Sequence, residues 1–176
     1  MNLLFDMMLI LFSLLLQIAC GSSVFSGFPF VLCAVLVLAM RRNAVAAVVV
    51  SLVCGFLTDV VCGREFACST ISFPIAAVVG YMLLPEEPLR FFFGDYILGG
   101  CAAVFVSGIL QTVTPLFFGK EWYYLAQGGC ETVLSTVAAA GIFPFFVFAC
   151  DRIACKLEIR RVFTRTIKFA LRPARR

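Results

Sequence analysis

The chain has 176 residues, 62% of them hydrophobic and only 14% charged, with a formal net charge of +4. Soluble domains carry about a quarter charged residues, so this composition excludes an ordinary soluble domain. No polar stretch is long enough to form one beside the apolar runs. There is no histidine, which removes the commonest general base and metal ligand.

A bilayer span needs about 20 mostly apolar residues. Six segments meet that pattern, and the expected fold is an all-α, polytopic bundle of about six transmembrane helices over residues 1–150, followed by a basic tail over 151–176. The first span, 3–20, places Asp6, Ser13 and Gln17 on one helical face. A lipoprotein signal ending at Cys20 is the rival reading. It lacks a basic N-terminal region, Asp6 is acidic, and Gln17 stands three residues before the cysteine. The second span, 24–40, contains Phe28-Pro29 and is closed by Arg41, Arg42 and Asn43.

The third span, 44–62, holds Ser51, Gly55 and Asp59 at four-residue spacing, with Gly63 just beyond it. A short gap, Gly63-Arg64-Glu65, leads to the fourth span, 67–84, with Ala76 and Gly80 and a kink expected at Pro74. The gap at 85–90, PEEPLR, precedes the fifth span, 92–114, with Gly99, Ala103, Ser107 and Gln111. The gap at 119–124, GKEWYY, precedes the sixth, 128–150, with Glu131, Ser135 and Ala139 and a second kink expected at Pro144. Small and polar residues repeated every four positions let helix backbones approach and hydrogen-bond.

With both termini in the cytoplasm, twelve of the fourteen Lys and Arg fall inside, and only Arg64 and Lys120 fall outside. The positive-inside rule therefore selects that orientation. Trp122, Tyr123 and Tyr124 then sit at the outer interface, where amphipathic rings belong. The tail holds nine Lys or Arg against Asp151 and Glu158, a net charge of +7. Arg160, Arg161, Arg165 and Lys168 are its expected contacts with the anionic inner leaflet. A membrane anchor is favoured over nucleic acid, and docking of a cytoplasmic partner stays open.

Ionisable groups within spans are costly and face protein or water. Asp6 and Asp95 fall near the inner surface, within reach of headgroup water. Asp59 lies about 22 Å from the cytoplasmic end of its span at 1.5 Å per residue. With Gln111, Glu131 and one of Arg64 or Lys120 it forms a candidate outer polar cluster. That cluster is structural glue, a ligand pocket or a partner-docking site; spacing alone does not choose. The four-residue spacing reads Gly55 and Gly63 as close-approach points for a neighbouring helix, with Asp59 between them accepting hydrogen bonds from that helix and so stabilising the bundle. Asp59→Asn is then expected to be tolerated, and Asp59→Leu to lower folded yield or complex assembly.

None of the nine cysteines forms a CxxC pair, so neither a zinc nor a redox motif is supported. They read as small apolar packing residues, with a Cys62–Cys68 disulfide as the alternative. Phosphate loops, nucleophile elbows and HExxH signatures are missing from the sequence. The reading is a non-enzymatic chain with no metal and no cofactor.

The stretch GFLTDVVCG at 55–63, preceded by AVAAVVVSLVC and followed by a span ending VVGYML, resembles the central hairpin of the MreD family of bacterial rod-shape-determining membrane proteins. The matching positions are Gly55, Phe56, Leu57, Asp59, Gly63, Gly80 and Tyr81, and the match covers residues 44–84. The resemblance implies a multi-pass protein of the cytoplasmic (inner) membrane acting in lateral wall synthesis. Its implied partners are MreC, the MreB filament, the transglycosylase RodA and a class B penicillin-binding protein. The family is similar in fold to the substrate-binding S-components of energy-coupling-factor vitamin transporters, which supplies the second reading.

Overall fold

The computed structural model describes residues 2–20, 28–41, 44–63, 67–83, 93–117 and 123–157. Six helices and no strands occur among them: α1 (Asn2–Ala19), α2 (Phe30–Arg41), α3 (Ala44–Val61), α4 (Cys68–Leu83), α5 (Phe93–Phe117) and α6 (Tyr123–Lys156). Two helical segments, Gly94–Phe117 and Leu125–Ala154, are long and apolar enough to cross a membrane. At 1.5 Å per residue α6 is about 51 Å long and α2 only about 18 Å.

The helix ends depart from the expected spans in two places. The second helix begins at Phe30, after the non-helical Phe28 and Pro29; residues 24–27 of that expected span lie outside the described residues. Proline fixes φ and has no N–H to lose, so it suits the entry to a helix. The sixth helix runs past both expected limits, so the boundary expected at residue 150 falls inside it. Both α4 and α6 continue through Pro74 and Pro144, and α5 through Pro115.

Helix α2 is apolar on every side, and from Val31 to Ala39 no residue is more than 3% exposed. A helix of that kind has to be enclosed. It touches all five other helices, while α1, α3, α4, α5 and α6 pack in that order around it. No contact joins α1 to α6 among the described residues, so the arc is open there. The core consists of α2 with Phe73, Ala76, Ala103, Val104, Phe143 and Val147 from its neighbours.

The surface is strongly apolar as well. Leu4, Met7, Leu11 and Leu15 on α1 are more than half exposed. So are Val45, Val49, Phe56 and Val60 on α3, and Val137 and Phe145 on α6. Inside, by contrast, lie Asp6, Ser13, Gln17, Ser51, Thr58, Asp59, Ser69, Ser72 and Ser107, all below 9% exposure.

Candidate functional site

The polar residues of α3 and α4 meet where α3 ends and α4 begins. The first turn of a helix has backbone N–H groups with no partner in the helix. At α4 two of these are met by Asp59: the Ser69 N–H donates to Oδ1 at 3.0 Å and the Thr70 N–H to Oδ2 at 2.8 Å. The Thr70 hydroxyl donates to Oδ2 as well, at 2.9 Å. The carboxylate also lies at the positive end of the α4 dipole, where an anion is favoured. One turn earlier on α3, a Cβ on Gly55 would collide with the Ser69 carbonyl oxygen and stand 2.9 Å from Thr70 Cα. Only glycine lets the two backbones come this close.

This geometry corrects two expectations. Asparagine offers one acceptor oxygen where Asp59 uses both, so its amide NH2 would face a backbone N–H. Asp59→Asn is therefore expected to be damaging rather than tolerated. Gly63 is not a close-approach point: nothing lies within 4 Å of a Cβ built there. It carries a φ of 61° just past the end of α3, the left-handed conformation that glycine supplies at helix C-termini.

On the other side of α4 a second polar group is buried. Gln111 Nε2 donates to Ser72 Oγ at 3.3 Å and to Ser107 Oγ at 3.1 Å, and Ser107 Oγ donates to Ser72 Oγ at 3.3 Å. Gly80, lower on α4, is held between α2 and α5: a Cβ there would overlap Leu36 and lie 3.1 Å from Ala103 Cβ. Tyr81 beside it is half-buried.

Among the described residues the expected outer cluster is not assembled. Glu131 is exposed on α6 and accepts only a 3.3 Å hydrogen bond from Gln127 Nε2 among the bonds described. Helix α6 does not touch α3, so Glu131 and Asp59 are on helices without contact. Arg64 and Lys120 lie outside the described residues, as do Arg160, Arg161, Arg165 and Lys168 of the tail. Asp6, expected within reach of headgroup water, is instead buried. Cys62 and Cys68 are free thiols, Cys62 exposed and Cys68 buried. Among the described residues no group of three metal-ligating side chains comes together.

Two features were missed in the sequence. Gln17 Oε1 accepts the N–H of Phe30, the first residue of α2, at 2.8 Å. At the α5–α6 contact, Gly108 and Thr112 face Gly128 and Thr132 in a reciprocal lock. A Cβ on Gly108 would lie 2.7 Å from Thr132 Oγ1, and one on Gly128 would lie 2.8 Å from Thr112 Oγ1. Each hydroxyl donates to the glycine carbonyl of its own helix, and the two oxygens are 3.4 Å apart. The Gly-x-x-x-Thr spacing at 108–112 and again at 128–132 was the available signal.

No protein-family model, curated protein or solved structure matches this chain.

Proposed function

We propose that the chain is a non-enzymatic, multi-pass component of the bacterial lateral wall-elongation complex. It sits in the cytoplasmic membrane with both termini inside and binds MreC, alongside MreB, RodA and a class B penicillin-binding protein. The observation that carries the membrane part is the apolar surface. Large apolar side chains run outward along α1, α3 and α6 while hydroxyls, an amide and two carboxylates are buried. Exposed apolar patches of that extent mark contact with lipid or another protein, and buried polar groups joined between helices suit a bundle in lipid.

The scaffold part rests on the resemblance of residues 44–84 to the MreD hairpin and on what Asp59 does in it. Its carboxylate is committed to the α4 backbone, which supports a structural role rather than ligand capture. The S-component alternative needs an outer pocket with ligand-facing polar groups. Asp59 is turned toward α4, and Glu131 lies apart from it at the surface.

The test is purification of the tagged full chain in mild detergent, with mass spectrometry of co-eluting proteins and small molecules. Recovery of MreC without a vitamin is the expected result. A stoichiometric vitamin with an energising ATPase module overturns the scaffold reading.

A further inference from the structure

Gln17 and Asp59 share more than the act of capping a helix. The segments around them align without a gap: SLLLQIACG at 13–21 and GFLTDVVCG at 55–63. Leu15 and Leu57, Cys20 and Cys62, and Gly21 and Gly63 are identical, and the first position is small in both. Gln17 lies two residues before the end of α1, and Asp59 two before the end of α3. Both helices finish with the same backbone bond, Cys20 N–H to the Leu16 carbonyl and Cys62 N–H to the Thr58 carbonyl, each at 2.9 Å. Each polar side chain is almost fully buried, Gln17 at 5% and Asp59 at 6% exposure, and each turns to the first backbone N–H groups of the next helix. Helix α1 also lies beside α3, and α2 beside α4.

We propose that α1–α2 and α3–α4 are two copies of one latched helical hairpin, and that Gln17 is the latch of the first copy as Asp59 is of the second. The latch position takes an amide or a carboxylate because the requirement is an acceptor oxygen aimed at a helix N-terminus. The third hairpin departs from the unit. It repeats the serine-to-glutamine spacing as Ser107 and Gln111, but that glutamine bonds back to Ser72 on α4. Helices α5 and α6 are joined by the threonine lock instead.

The experiment is thermal unfolding of the full chain in detergent, read as loss of the monodisperse chromatographic peak. Gln17→Leu removes the side-chain acceptor of the Phe30 N–H, leaving it only the 3.1 Å bond to the Phe28 carbonyl, and is expected to lower Tm by roughly 3–6 °C. Gln17→Glu keeps the acceptor and is expected to stay within about 2 °C of the unmodified chain. Replacing residues 13–21 by GFLTDVVCG tests the repeat itself, and the chimaera is expected to fold. An unchanged Tm in Gln17→Leu, or a loss in Gln17→Glu as large as in Gln17→Leu, overturns the latch. Should Gln17→Leu not fold, Gln17→Glu decides alone: a folded peak supports the latch and aggregation overturns it. Aggregation of the chimaera, with Gln17→Glu folded, overturns the repeat.

Discussion

The α3–α4 and α5–α6 hairpins are fastened by opposite means. At α3–α4 one charged side chain reaches across and satisfies backbone donors that the helix itself cannot. At α5–α6 each threonine hydroxyl donates within its own helix, the two oxygens meet at 3.4 Å and the Cys101 thiol donates to the Thr136 carbonyl at 3.4 Å, while the tightest contact is one of shape: each threonine fills the space over the other helix's glycine. The first junction loses a bonded partner when it is cut. The second loses fit. Satisfying an otherwise orphaned buried donor matters more than adding one bond between groups already paired, so the two hairpins should differ in how they break.

Asp59→Leu is the sharpest way to break the comparison. It strips the acceptor from two backbone N–H groups and one hydroxyl, and a loss of about 3 kcal/mol is expected from the usual cost of leaving buried donors unpaired. In a chain of this size that lowers Tm by roughly 6–12 °C, measurable by thermal unfolding in detergent. Asp59→Asn should fall between Asp59→Leu and the unmodified chain. If it melts with the unmodified chain, the second carboxylate oxygen has no role.

Gly55→Ala comes next. The added methyl meets α4 backbone and not a mobile side-chain tip, so the helices must part, at about 1–3 kcal/mol for overpacking. Gly108→Ala meets a threonine side chain instead of backbone, and should cost less than Gly55→Ala in the same assay. Equal losses would show that the two junctions are equally rigid.

Thr132→Val keeps the shape that fills the space over Gly108 and removes a hydroxyl that donates to its own helix and stands 3.4 Å from Thr112 Oγ1. A change of no more than about 1 kcal/mol is expected, since such i-to-i−4 bonds add little to helix stability. A loss as large as that of Asp59→Leu would place the energy of the α5–α6 contact in the hydroxyls and remove the contrast. Glu131→Gln is the smallest: the side chain is exposed on α6, and a surface change of this kind falls within about 0.5 kcal/mol.

Several parts of this arrangement were legible in the residues. The four-residue stripes Gly99-Ala103-Ser107 and Ala76-Gly80 are buried as their spacing suggests, because four residues return nearly to the same helical face. Asp59 stood out because a carboxylate in an apolar run needs a partner. Its partner was not legible, since backbone N–H groups carry no mark in the sequence. Glu131 shows the converse. Its depth resembled that of Gln111, but depth says nothing about azimuth, and α6 turns Glu131 to the surface while α5 turns Gln111 toward Ser72.

The sequence by itself determined that the chain is helical and apolar, and roughly where six helices lie, because run length and punctuation are local properties. It also determined which residues are small or polar enough to matter at contacts. Only the tertiary structure decided that α2, the shortest helix, is the enclosed one, that Gly55 rather than Gly63 is the point of close approach, and that Asp59 accepts from the α4 backbone. Those outcomes depend on which helix lies beside which, and on the direction each side chain takes once it is there. Neither is written in the spacing of residues along one chain.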